Sequence, residues 1–369
     1  MLVHPKQLVA GCYITKEVIG KTNRPIVLKN TVVTEQHIVV LNKFLVSAVE
    51  VSDKLSNGLP FIPEEVTDKG VNKHDRSGKQ EQTDQNLSFA EHYLQAIRSY
   101  KEIFHHWQSG SAVDMNKVRG IIVPLLERIE KDGIGLDLFL LHNYADKKDY
   151  FYHHGVAVSL LSAFLAKKRG YKKEWIQIGL AGFLADSGMA KLSVGLFKKE
   201  SDLNSFENEE VRKHPTYSYR LVEKIPSLSM GVKLAILQHH ERLNGSGYPL
   251  GVDRNKIHPF AFILAICDSY HAMTCDRVYQ TKLSPFKAIE EMMQDRFNKF
   301  DHETLQAFVD SLINFTTGSR VLLSNNETAE IVFLESTNPT MPMVRLDRTN
   351  DIISLKDKQD IYIEEILTT

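Results

Sequence analysis

The stretch His239-His240-Glu241-Arg242-Leu243-Asn244-Gly245-Ser246-Gly247-Tyr248-Pro249 decides how the rest of the chain is read. Two adjacent histidines close an apolar run, and a Gly-Ser-Gly-Tyr-Pro loop follows them. Inside a regular helix, neighbours point about 100° apart, so both rings cannot serve one site. At a helix C-terminus both imidazoles can turn towards a common pocket. Working outward, Asp186 follows the apolar run Ala181-Gly182-Phe183-Leu184, and Asp268 follows Phe262-Ile263-Leu264-Ala265-Ile266-Cys267. Each carboxylate is therefore expected at the end of a buried helix, where it needs a cation or several donors to offset its desolvation. His154 near one helix start and His214 before Pro215 at another complete a set of six imidazole and carboxylate residues. Such donors suit iron, manganese, zinc or nickel, and softness does not choose among them.

Taken singly, these residues have plainer readings. His214 before a proline reads as a cap or surface group, Asp268 as a partner for Arg277, and Tyr248-Pro249 as a turn. His105-His106 reads as a solvated helix end. Packing does not explain the order and spacing of the whole set.

The surroundings are helical in pattern. Ala90, Tyr93, Leu94 and Ile97 keep i, i+3, i+4, i+7 spacing, and Val118, Ile121, Ile122, Leu125 and Ile129 repeat it. Gly133-Ile134-Gly135 separates that helix from one marked by Val156, Leu160, Leu161 and Phe164, which ends at Lys167-Lys168-Arg169-Gly170. Prolines 215, 226, 249, 259 and 285 punctuate later helices, so residues 89–316 predict a bundle of seven or more.

Both ends differ from this middle. Ile26-Val27-Leu28 and Thr31-Val32-Val33-Thr34 are strand-like, and Gln36 to Ala48 reads as a short helix, so residues 1–63 predict a small α+β module. Residues 64–88 are polar and read as a linker. Residues 89–147 are connecting helices, 148–316 the site-bearing helical domain, and 317–369 a small β appendage. The appendage rests on Val321-Leu322-Leu323, Ile331-Val332-Phe333, Val344-Arg345-Leu346 and Ile361-Tyr362-Ile363. The fold class is mainly α.

Composition narrows the partners. The 369 residues carry a formal net charge of -1, which gives no basic field for a nucleic-acid polymer. Cys12, Cys267 and Cys275 form no paired framework, which points to a reducing compartment. The start lacks a charged segment followed by an apolar signal core, and no apolar run reaches the ~18 residues that span a bilayer. A cytoplasmic location without membrane insertion is expected. The apolar faces of helices 89–147 suggest a homodimer.

In the order His154, Asp186, His214-Pro215, His239-His240-Glu241, the Gly-Ser-Gly-Tyr-Pro loop and Asp268, the chain resembles the HD-GYP phosphodiesterases, bacterial enzymes of the HD superfamily that linearise cyclic di-GMP. The resemblance covers about residues 145 to 290. It includes Asp268-Ser269-Tyr270-His271-Ala272-Met273-Thr274-Cys275-Asp276-Arg277-Val278-Tyr279, which matches the family's Asp…Ala-x-Thr…Arg-x-Tyr run. It implies an HD-superfamily helical bundle between the two flanking modules, and one or two divalent ions, iron or manganese. Asp186 would bridge two ions, one shared with His214, His239 and His240, the other with His154 and Asp268. Metal-assisted hydrolysis of cyclic di-GMP is the implied reaction. Tyr248 and Arg277 would hold the substrate, and Gly245 and Gly247 would let the loop approach it. The family's loop also docks diguanylate cyclase domains.

The chain departs from the pattern where the histidine before the bridging aspartate is replaced by Ala185, leaving the second ion three protein ligands. Met189 stands where the family often has lysine, and Lys191 is the nearby substitute for a catalytic role beside Asp186. Tyr150 stands where some members place a glutamate for a third ion, and Asn244 where aspartate is common. Two other readings stand beside the phosphodiesterase: an inactive cyclic di-GMP receptor or protein-interaction scaffold, and a hydrolase of another phosphoester.

Overall fold

The computed structural model describes residues 87–134, 136–145, 149–193, 195–196, 199, 203–276, 282–294, 299–312, 317–335, 340–358 and 360–367, and residues 1–63 except 10, 20–24, 35–36, 39–40, 42–45, 47, 53, 57–60 and 62. Two compact units divide the chain, Met1–Thr83 and Asp84–Thr369.

In the first unit, β1 (Leu2–Val3) pairs antiparallel with β4 (Val49–Glu50), and β2 (Val18–Ile19) with β3 (Pro25–Val27). Val3, Ile14, Val18, Val27, Leu41, Val49, Val51 and Phe61 form its core. The predicted strand at residues 26–28 thus starts one residue earlier. The run Thr31–Thr34 contributes only a bridge from Val32 to Tyr13. Much of the helix expected over 36–48, and residues 64–86 of the expected linker, lie outside the described residues.

Ten α-helices among the described residues build most of the second unit. Helix α1 (Phe89–Gln108) starts at a capping box, in which Ser88 accepts from the Glu91 N–H and Glu91 reaches back to Ser88. Asp114 caps α2 (Met115–Lys131) by accepting from the Asn116 and Lys117 N–H groups with its carboxylate. Helix α3 (Tyr150–Lys168) is apolar on every side and buried from His153 to Ala166, which makes it the central element. It packs along α4 (Trp175–Leu184) at very short range. A Cβ on Gly182 would sit 2.9 Å from the Val158 carbonyl oxygen, so only glycine lets the two backbones approach this closely. Ser159 fastens the pair by donating to the Gly179 carbonyl at 2.7 Å.

After a 3-10 turn, Ser187–Lys191, come α5 (Ser205–Val211), α6 (His214–Val222), α7 (Met230–Gln238), α8 (Pro259–Thr274), α9 (Pro285–Gln294) and α10 (His302–Leu312). The buried ammonium of Lys233 donates to the Glu223 carbonyl, a cation placed at the C-terminus of α6 where exposed carbonyls favour it. The C-terminal segment is a five-stranded antiparallel sheet in the order β8-β7-β6-β5-β9. Its strands are β5 (Arg320–Leu323), β6 (Thr328–Phe333), β7 (Met343–Leu346), β8 (Ile352–Ser354) and β9 (Ile363–Leu367). Val321, Leu323, Ala329, Ile331, Val344 and Ile363 point into the same core as the helices, and Ser284 donates to the Ile363 carbonyl at 2.8 Å. The architecture is mainly α, as the sequence predicts. Among the described residues no helix is long and apolar enough to cross a membrane.

Candidate metal centre

Six side chains from five elements meet at one end of the α3–α4 pair. His154 comes from the first turns of α3, and Asp186 from the junction between α4 and the 3-10 turn. His214 is the first residue of α6, His239 the C-cap of α7, and His240 follows it. Asp268 lies inside α8, not beyond the end of a helix as its apolar lead-in suggested. Gly188 sets the approach of Asp186 to His214. A Cβ there would stand 2.2 Å from the His214 carbonyl oxygen, and its N–H donates to Ser218 Oγ at 2.7 Å.

The geometry is that of two donor groups sharing one carboxylate. Asp186 Oδ1 lies 3.0 Å from His214 Nε2 and 3.6 Å from His239 Nε2, while Oδ2 lies 3.4 Å from His154 Nε2. Asp268 Oδ1 is 2.9 Å from His154 Nε2, and its Oδ2 is 3.7 Å from His240 Nδ1. Asp186, His214, His239 and His240 form one group able to hold an ion, and His154, Asp186 and Asp268 form the other.

Hydrogen bonds on the far sides of two rings show that the donors fit a cation. His214 Nδ1 lies 2.7 Å from the Val211 carbonyl and His239 Nδ1 2.7 Å from the Ile236 carbonyl. A carbonyl only accepts, so each Nδ1 carries the hydrogen, and it is the Nε2 side of each ring that faces the site and offers its lone pair to an ion. Those two Nε2 atoms are 3.2 Å apart, beside an ionised carboxylate oxygen. Lone pairs and negative charge so converged repel unless a positive ion lies among them, so the residues fit a divalent metal.

Electrostatics agree. Burial alone would raise the Asp186 carboxyl, but the proximity of His214, then His239 and His154, holds it well below the usual range. Asp268 is likewise lowered, with burial outweighed by His240 and His154. Burial, then His239, pushes His240 well below an ordinary histidine, which keeps its ring neutral and able to ligate.

The glycine-rich loop folds over this cluster. Gly245 and Gly251 adopt φ of 76° and 62°, and a Cβ on Gly247 would lie 2.4 Å from Glu241 Cα. Tyr248 stacks on His240 with centroids 4.6 Å apart and planes 24° from parallel. Burial and the nearby carboxylates of Asp268 and Asp186 raise its phenol, so Tyr248 stays neutral over the site. The loop is tied down by Glu241, which accepts from Leu250 N–H at 2.7 Å and Val252 N–H at 3.1 Å.

All six expected ligands are thus brought together, with Gly245, Gly247 and Tyr248 beside them. Lys191, expected to serve beside Asp186, lies in the 3-10 turn that follows it and donates its ammonium to the Trp107 carbonyl at 3.2 Å. Arg277 lies outside the described residues. Ala185 caps α4 within the core and offers only a methyl group. Sequence reasoning missed His271, whose Nδ1 is 3.0 Å from His154 Nδ1, and the use of Tyr150, whose hydroxyl is 3.1 Å from the same atom. Both lie on the side of His154 away from the carboxylates. The available signal was helical spacing: His271 is three residues beyond Asp268 and Tyr150 four before His154.

Residues 141–304 match the HD domain family. A cyclic di-GMP phosphodiesterase of Pseudomonas aeruginosa is 30% identical over 199 residues, 54% of this chain and 48% of that protein. The cyclic di-GMP phosphodiesterase PdeB of Borreliella burgdorferi is 25% identical over 212 residues, 57% of this chain and 56% of its own. A 3'3'-cGAMP-specific phosphodiesterase of Vibrio cholerae is 31% identical over 176 residues, 47% of this chain and 39% of its own. The chain spans about half the length of the first two of these relatives.

Proposed function

We propose that this chain, whose residues 141–304 match the HD domain family and which is similar to cyclic di-GMP phosphodiesterases, is an HD-GYP-type metal-dependent phosphodiesterase that hydrolyses cyclic di-GMP. The observation that carries this reading is the convergence of two imidazole Nε2 atoms on the shared Asp186 carboxylate, under a loop whose Tyr248 stacks on His240. Asp186, His214, His239 and His240 would hold one ion; His154, Asp186 and Asp268 the other. The nitrogen and oxygen donors suit iron or manganese. When bound, the ions supply Lewis acidity that activates water and offsets charge on the phosphate.

The chain's own residues do the rest. Asp186 and Asp268 stay ionised in a buried site and so retain the negative charge that holds cations. The Val211 and Ile236 carbonyls fix the tautomers of His214 and His239. Tyr248, neutral and stacked on His240, presents a hydroxyl to the nucleotide, and Gly245 and Gly247 are assigned to its approach on the family pattern. Arg277 is assigned to the substrate on the family pattern. Three unpaired cysteines favour a cytoplasmic setting. Residues 148–316 carry the chemistry, the loop is the surface for a diguanylate cyclase domain, and residues 89–147 provide the contact for a homodimer.

The test is cyclic di-GMP cleavage by protein loaded anaerobically with iron or manganese, with the linear product followed by chromatography. Metal-dependent turnover that disappears in Asp186→Ala is the expected result. Tight nucleotide binding with no turnover under any metal would replace the enzyme by a receptor, with Ala185 as the cause.

A further inference from the structure

We propose that Arg212 is a substrate-contacting residue that takes the second phosphate of a cyclic dinucleotide, the one not being cleaved; this rests on the phosphodiesterase reading above. The guanidinium of Arg212 lies 4.6 Å from the centre of the Tyr248 ring. Tyr248 in turn stacks on the ion ligand His240, so this cation stands one aromatic ring away from the metal centre. Arg212 is exposed at the C-cap of α5, two residues before the ligand His214. Its backbone is held there by bonds from its N–H to the Asn208 and Glu210 carbonyls.

Other described cations around the site are engaged. Lys191 donates to the Trp107 carbonyl. Arg242 donates to the His239 and Glu241 carbonyls and to Ser269 Oγ, with its guanidinium over Phe300. Arg254 pairs with Asp301, and Lys213 with Glu210. Arg212 alone among these has neither a carboxylate nor a carbonyl partner among the described residues. A guanidinium stacked on a ring keeps its N–H edge directed outward, which suits two oxygens of one phosphate.

A substrate with two phosphates and a metal centre that grips one of them leaves a second negative charge to be met. A cation displaced from the ions by a single ring meets it without competing for the ligands. Arg212 therefore selects for cyclic dinucleotides over esters with a single phosphate.

The experiment compares wild type with Arg212→Gln and Arg212→Lys on two substrates, cyclic di-GMP and bis(4-nitrophenyl) phosphate, which has one phosphate. Calorimetric binding of cyclic di-GMP to chelator-treated protein gives a readout independent of turnover. The expected result for Arg212→Gln is a KM for cyclic di-GMP raised by about 10- to 100-fold, the scale of one charge-assisted contact, with kcat little changed. Affinity in the chelated protein falls in parallel, Arg212→Lys is intermediate, and turnover of the single-phosphate ester is unaltered. Equal loss on both substrates would show that Arg212 only holds Tyr248 in place, and no change on either would also overturn the assignment. Wild type that cleaves the simple ester but neither binds nor cleaves cyclic di-GMP would defeat the substrate reading itself, and Arg212's role with it.

Discussion

Glu241 follows the two candidate ion ligands His239 and His240 in sequence, yet its buried carboxylate holds the loop instead. Two charge-assisted bonds to backbone amides, each of the order of 1.5–3 kcal/mol, make this residue a structural anchor. Glu241→Ala is expected to keep its bound metal, by elemental analysis, while losing about 2–4 kcal/mol of stability in urea and most of its nucleotide affinity. His271 backs His154 from behind, where Nδ1 meets Nδ1 at 3.0 Å. A ligand whose outer nitrogen loses its partner binds metal about 10- to 100-fold more weakly, so His271→Leu should deplete one ion, and His271→Asn, which keeps an acceptor, should restore part of it. Depletion of both ions alike would rule out a role specific to His154. The six side chains that cluster here were legible as residue types in order. The facing of Glu241, His271 and Arg212 was not, because it depends on contacts between distant elements.

At the scale of elements, close approach matters more than helix content. Helix α6 reaches the metal centre because Gly188 has no side chain where the His214 carbonyl and the Ser218 N–H pass. Gly188→Ala would force a Cβ against rigid backbone, with an expected loss of about 1–3 kcal/mol. Because the displacement separates Asp186 from His214, metal affinity should fall with stability; a stable variant with full metal content would contradict this. Helix ends were readable in advance from the basic turn before Gly170 (φ 85°) and from the prolines opening α6 and α8. Asp268 was misplaced because an apolar run does not reveal where a helix stops, and Thr274 proves to be the last residue of α8. Strand β8, three residues between turns, carries too little pattern to be seen.

For the whole molecule, burial of titratable groups sets the response to acid. Burial, and secondarily Lys282, lowers His142 from 6.5 to about 4, despite its bond with the Phe139 carbonyl; the neighbouring ring of His271 is also lowered. The unfolded chain therefore takes up a proton below pH 6.5 that the folded chain refuses until about pH 4. The stability His142 contributes is complete above 6.5 and is lost as pH falls towards 4, with a slope of up to about 1.4 kcal/mol per pH unit for each proton. The lowered Asp186 and Asp268 act in the same direction below their ordinary 3.8. Thermal melts of metal-free protein should decline from pH 6.5 to 4, and His142→Asn should flatten that decline. An unchanged slope would remove His142 from the account.

One carboxylate serving two donor groups makes their filling sequential. Asp186 offers Oδ1 to the group with three imidazoles and Oδ2 to the group with one, which also lacks a ligand at Ala185. The richer group should fill first, lock the plane of the carboxylate, and leave its second oxygen aimed but partly neutralised. Metal titration should then show two separated steps, so that a half-filled protein is a distinct species over a range of metal concentrations. Availability of metal would act on this chain as a graded control, and a single-step isotherm would show that it does not.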